Sequence, residues 1–131
     1  MYDMLHAVDC REPPYFAEWL TTLPADAAAQ TRVGLEYLLE FGRSAQLDDV
    51  RHRIQTSRHY PDMSEVRVLH RSQPHDLILR VLTVFTNNDQ TLVVCLGGDK
   101  AAWQRTNRTD WYDHAVPIAD QIFDIYHQHP F

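Results

Sequence analysis

Cysteine is scarce. The two residues of that type, Cys10 and Cys95, stand 85 positions apart and form no CxxC pair, so the chain offers neither a zinc-binding nor a disulfide framework. Cys95, inside Leu92-Val93-Val94-Cys95-Leu96, reads as a small buried hydrophobe, and Cys10 as an inert free thiol. No apolar run approaches the ~18–20 residues of a membrane span, and the longest stretch, Leu77 to Phe85, is broken by Arg80 and Thr83. The N-terminus lacks the basic and apolar regions of a signal peptide. These absences together favour the cytoplasm. The eight histidines show no HExxH, and His52, His59, His70, His75, His127 and His129 have no paired metal-ligand spacing, so no metal or other cofactor is expected. No Ser-His-Asp or Cys-His arrangement can be argued. Lysine occurs once, at Lys100, against eleven arginines.

What is present describes a folded protein. The 131 residues are 44% hydrophobic and 23% charged, enough for one domain spanning 1–131 and too apolar for a disordered chain. Twelve basic residues against eighteen acidic ones give a net charge of −6, which taken globally argues against a nucleic-acid binder. The average hides a segregation. Residues 1–42 hold two arginines and seven acids (−5), residues 43–108 ten cations and seven acids (+3), and residues 109–131 four acids and no Lys or Arg (−4). One anion-seeking surface on an otherwise acidic protein follows.

Hydrophobic periodicity outlines the elements. Residues 2–8 suggest a short strand. After Pro13-Pro14, Phe16, Trp19, Leu20 and Leu23 mark one face of a helix, which Pro24 ends. Val33, Tyr37, Leu38 and Phe41 carry a second helix over 25–41, with Gly42 as its stop. Residues 43–63 are polar and undecided. From residue 64 the period falls to two: Glu65–Val68 reads as a half-buried strand, Leu77–Thr86 as a central strand apolar on both faces, and Thr91–Leu96 as its hairpin partner across Asn87-Asn88-Asp89. Trp103–Asp110 reads as a loop. Residues 110–128 read as a C-terminal helix with Ile118, Ile122, Ile125 and Tyr126 on one face, and Pro117 either in its first turn or at a kink. The class is α+β, helices packed on an antiparallel sheet.

A few residues resist a purely structural reading. Arg80 shares its strand face with Ile78, Leu82 and Val84. It cannot shed its charge, so it needs either a carboxylate partner or a cleft that receives an anion. Arg67 shares a mostly polar face with Glu65, Leu69 and Arg71, compatible with a solvated strand. Lys100 follows Gly97-Gly98-Asp99, which is not a P-loop. It is either an exposed residue of a plain turn or a point charge for a phosphate, with the glycines allowing close approach. His59, in Arg58-His59-Tyr60, is either an exposed loop histidine with no task or a candidate for acid–base work near neutral pH. Trp103, Trp111 and Tyr112 flank Arg105 and Arg108, a pattern suited to stacked bases or to a helix start packing on the core.

The segments Ser57–Arg67 (SRHYPDMSEVR), Leu79–Val84 (LRVLTV), Gly97–Lys100 (GGDK) and Trp111–Asp120 (WYDHAVPIAD), with FAEWLTTLP at 16–24, resemble in order and spacing the HigB-like branch of the RelE/ParE toxin superfamily. The resemblance implies two N-terminal helices on a curved antiparallel sheet with a C-terminal helix. It further implies a type II toxin that cleaves mRNA on the ribosome without a metal and is neutralised by a cognate antitoxin, expected to be a helix-turn-helix protein encoded nearby. It matches Arg67, Arg80 and Lys100 to the family's catalytic cations, and Arg58 and His59 to a basic pair preceding a strand. His59, Tyr60 and Tyr112 all stand as candidate bases. Arg58, Arg71, Arg105, Arg108, Trp111 and Tyr112 are the expected RNA contacts. Two alternatives share the fold: a ParE-like toxin acting on a protein such as DNA gyrase, and a non-catalytic relic that binds only its antitoxin. The chain departs from the family in its acidity and in a longer segment between Lys100 and Trp111, which could fold over the cleft.

Overall fold

The computed structural model describes residues 9–46, 49–86 and 90–127. Strand β1 (Asp9–Arg11) leads into helices α1 (Pro14–Thr21) and α2 (Ala25–Phe41). A single 3-10 turn at Gly42–Ser44 and strand β2 (Val50–Arg51) follow, then β3 (Met63–His70), β4 (Leu77–Phe85), β5 (Thr91–Asp99), α3 (Lys100–Asn107) and α4 (Trp111–Tyr126). The strand expected within 2–8 and the 87–89 turn lie outside the described residues.

Local chemistry explains the helix bounds. Pro13 and Pro24 occupy the N-cap positions of α1 and α2 in extended conformation, where a missing N–H costs nothing. Gly42 ends α2 with a φ of 56°, a conformation that a side chain would oppose.

The five strands form one sheet in the order β1-β5-β4-β3-β2. β4 is its centre, as its two apolar faces require. β2, β3, β4 and β5 pair antiparallel, but β1 runs parallel to β5, Asp9 opposite Thr91 and Arg11 opposite Val93. The sheet is therefore mixed rather than antiparallel throughout. The whole chain from α1 to β4 separates β1 from β5, so no hairpin dictates their direction.

Each face of the sheet carries its own apolar layer. One joins α1 and α2 to Val66, Val68, Leu79, Val81, Leu92 and Val94, and the other joins α4 to Met63, Leu82, Val84, Val93 and Cys95. The helix faces turned to the sheet are not those marked by the largest apolar side chains. α2 buries Ala27, Thr31, Leu35 and Leu38, whereas Val33 is 63% exposed. A Cβ at Gly34 would lie 2.5 Å from Val66 Cγ1, so this helix approaches the sheet over small residues. α4 likewise buries Ala115, Val116, Ala119 and Phe123 and leaves Ile125 57% exposed. Pro117 lies inside α4 on its exposed side.

The segment expected as a loop over 103–110 is helical up to Asn107. The Asp99 side chain caps α3 by accepting from the N–H groups of Ala101 and Ala102, and Arg108 closes it in a left-handed conformation with φ 58°. Short, polar and without apolar periodicity, α3 is held by its cap and by Trp103, whose ring stacks 3.9 Å from that of His114 on α4.

Candidate active site

Arg80 stands in mid-β4, 8% exposed. One guanidinium nitrogen, Nη1, donates to the Leu79 carbonyl at 3.0 Å, and Nε donates to the Tyr112 hydroxyl oxygen at 3.1 Å. The carboxylate that an apolar strand demands is Glu65 on β3, whose Oε1 lies 3.7 Å from Arg80 Nε. Glu65 is 0% exposed, so its strand face is covered at this position, whereas Arg67 and Leu69 further along the same face are exposed. Tyr112, in the first turn of α4, donates to Glu65 Oε1 at 2.8 Å, and Arg51 on β2 places Nε 2.7 Å from Oε2. A buried carboxylate thus faces two arginines and a phenol: Oε1 is hydrogen-bonded by the phenol, and Oε2, which accepts no hydrogen bond, is compensated by the Arg51 ion pair.

Three more features complete the cluster. Arg67 pairs directly with Arg80 across the β3–β4 ladder and so shares its face. It is exposed, and its guanidinium forms no hydrogen bond or ion pair with another described residue. Lys100, the first residue of α3, sets Nζ 5.3 Å from the Tyr112 ring centroid, and the Arg51 guanidinium carbon lies at the same distance. Burial raises the Tyr112 phenol above its ordinary value, the Glu65 charge and hydrogen bond add to the rise, and Arg80 opposes it. Beside this cluster runs an open cleft of about 440 Å³, bounded by Arg51–Thr56, Asp110 and Tyr112.

The two glycines before Lys100 serve the chain's own indoles. A Cβ at Gly97 would meet the Trp19 ring at 2.4 Å, and one at Gly98 would meet Trp111 Nε1 at 3.0 Å. Trp111 is accordingly a core residue and not a face for stacked bases, which corrects its place among the expected RNA contacts. Tyr112, its neighbour, is the one that borders the cleft.

Other expected site residues lie elsewhere. His59 Nε2 is 2.7 Å from Asp124 Oδ1, the Arg58 guanidinium pairs with the same carboxylate, and the Ser57 hydroxyl and Arg58 N–H donate to buried Asp120. This binds 57–59 to the C-terminal half of α4. Asp124 follows Tyr112 by twelve residues, about 18 Å along a helix, so His59 does not share a centre with Arg80. Tyr60 accepts from Arg53, Arg71 pairs with Asp76 at 2.9 Å, and Arg105 and Arg108 are exposed at and just beyond the end of α3. Of the three candidate bases, Tyr112 alone touches Arg80. Sequence reasoning missed Arg51, which sat in the undecided segment, and the burial of Glu65. Among the described residues, no group of three or more His, Cys, Asp or Glu could hold a metal ion.

An α+β domain with paired helices on one face of a five-stranded sheet and a cationic cluster on the other defines the class: the fold is that of the RelE toxins. A solved structure of the E. coli toxin RelE, a double mutant in the free state, matches with a TM-score of 0.51 over 73% of this chain and 86% of that one, at 16% identity. No protein-family model matches the sequence. A Mycobacterium tuberculosis protein named "Putative toxin HigB3" is 32% identical over 109 residues, 82% of this chain and 83% of that protein. The chain belongs to the HigB-like branch of the RelE/ParE toxin superfamily.

Proposed function

We propose that the protein is the toxin of a type II toxin–antitoxin module and an endoribonuclease that cuts mRNA held on the ribosome. One observation carries this reading: Arg80 and Lys100, brought from a strand and a helix start, meet at Tyr112 beside an open cleft, and Arg67 stands opposite Arg80 on the same sheet face. A phosphodiester laid there meets the fixed positive charges of this cluster. The ribose 2′-oxygen attacks the adjacent phosphorus and the bond to the 5′-oxygen breaks. The products are a 2′,3′-cyclic phosphate and a free 5′-hydroxyl. The cations stabilise the pentavalent arrangement between, whose charge exceeds that of the diester. Removing one such preorganised donor commonly costs ~10²–10³ in rate.

The charge distribution suits a ribosome-bound substrate. A −6 protein grips free RNA weakly, and the ribosome supplies the local concentration that its own field does not. The action is accordingly placed in the cytoplasm. The described residues include no helix long and apolar enough to cross a membrane. The cognate antitoxin, expected as a helix-turn-helix protein from a neighbouring gene, is proposed to cover the exposed cationic face around Arg67.

The test is cleavage of a reporter mRNA during translation by wild type, Arg67→Ala and Arg80→Ala. Cleavage by the wild type with a loss of about 10²-fold or more in each variant supports the assignment. Equal activity in all three removes the site. Blocked replication with intact message selects a protein-directed action instead.

A further inference from the structure

The cationic cluster explains how charge is held on the phosphate but not where the 2′-hydroxyl proton goes. We propose that it passes through the Tyr112 hydroxyl to Glu65. The relay rests on the endoribonuclease reading and deepens it by naming the proton acceptor.

The geometry is directional. The Tyr112 hydroxyl has one proton, and it points at Glu65 Oε1, 2.8 Å away. One side of the oxygen accepts from Arg80 Nε at 3.1 Å. A phenol oxygen keeps further acceptor capacity, and the Tyr112 ring, half-buried, borders the open cleft. A 2′-hydroxyl in that cleft donates to the Tyr112 oxygen. As its proton moves onto that oxygen, the original phenol proton moves onto Glu65 Oε1. The 2′-oxygen gains the electron pair that attacks phosphorus, Tyr112 ends as a neutral phenol, and Glu65 ends as a carboxylic acid. Release of the cyclic product and return of the proton to the 5′-oxygen or to solvent restores the site.

Two further facts favour a relay over Tyr112 acting alone. Glu65 is fully buried and cannot touch a substrate, so any exchange of its proton has to use an intermediary. Arg51 and Tyr112 both span from it to the cleft, and of the two only the phenol can pass a proton, because a guanidinium does not give its proton up. Tyr112, with its ionisation pushed upward, is almost wholly a phenol at neutral pH, and a free phenolate base is too rare to serve. The charged groups around this pair are Arg51 from β2, Arg80 from β4 and Lys100 from α3, with Arg67 two residues along β3 from Glu65 and Asp110 accepting from the Tyr112 backbone N–H. Four of the five are cations, which favours negative charge on Glu65 before the proton arrives. Glu65 is by this argument a positioning and proton-accepting residue that acts through Tyr112.

The experiment is a single-turnover rate–pH profile of mRNA cleavage on programmed ribosomes for wild type, Glu65→Gln, Tyr112→Phe and the double variant, with thermal melts of each. Both single variants are expected to lose ~10²–10⁴ in rate and the acid limb of the profile, and the double variant to lose no more than the worse single one, because the two groups act in series. Glu65→Gln disturbs a buried charge, so Tyr112→Phe is the variant that decides if the former does not fold. Wild-type rates in Tyr112→Phe, an unchanged acid limb in a folded Glu65→Gln, or losses that multiply in the double variant overturn the relay. A wild type that cleaves no ribosome-bound message overturns the endoribonuclease reading, and the relay with it.

Discussion

Arg67 and Arg80 are ladder partners with different duties, and substitution separates them. Arg80→Ala removes one of two counter-charges from a buried carboxylate, and breaking such a pair costs about 3 kcal/mol or more. Arg67→Ala removes an exposed cation opposite a like charge, so stability by urea denaturation is expected to move by no more than about 0.5 kcal/mol while cleavage falls. Gly97→Ala drives a methyl group into the Trp19 ring and is expected to cost about 1–3 kcal/mol in the same measurement. Tyr112 makes a pH-dependent contribution. Its ionisation is raised in the folded state, so the stabilisation is complete below the free phenol's value near 10 and is lost as pH rises through the folded one. An ultraviolet titration is expected to show Tyr15 and Tyr112 ionising late, both held up first by burial, and Tyr112→Phe to remove one tyrosine's share of that late amplitude. At this scale the sequence was partly legible. Arg80 is conspicuous among apolar neighbours, and its demand for a carboxylate follows from its fixed charge. Glu65 was not legible, because a period of two says which residues share a face but not what covers that face.

The elements around the site owe their positions to short polar devices that periodicity does not register. Asp99 caps α3 and so fixes Lys100 at its first position. Asp99→Ala is expected to cost about 1 kcal/mol and to lower cleavage by releasing Lys100, measured as a smaller melting temperature together with a reduced rate. Asp120 anchors the 57–59 segment to α4 from a buried position. Asp120→Ala is expected to cost about 1–3 kcal/mol and to speed hydrogen exchange at 57–60. It is expected to leave the Arg80 cluster intact, since that lies at the other end of α4. The starts of α1 and α2, the central place of β4 and the β3–β4–β5 meander were readable, because prolines, Gly42 and apolar patterning act locally. The inward faces of α2 and α4 were not. Close helix–sheet contact selects Ala and Gly there, leaving Val33 and Ile125 outside. The parallel β1–β5 pairing was also beyond reach, since it depends on a partner some eighty residues away.

For the whole molecule, the net charge of −6 is the misleading number and its distribution the useful one. Acidic helical segments flank a sheet region that carries Arg51, Arg67 and Arg80, with Lys100 at the end of β5 and Arg51 bordering the open cleft. Binding to free RNA is expected to be weak and to fall steeply with salt, whereas cleavage on translating ribosomes tolerates the same salt better. The central proposal is that the exposed cation Arg67 and the buried Arg80 opposite it act together in cutting translating messages. It is tested most directly by mapping mRNA 5′ ends in cells after brief induction of the wild type or of Arg67→Ala, the variant that leaves the fold undisturbed. New 5′-hydroxyl ends within open reading frames, abundant with the wild type and reduced about a hundredfold with Arg67→Ala, are the expected result. Growth arrest by both proteins with no new ends, or the same ends at the same frequency in both, contradicts it.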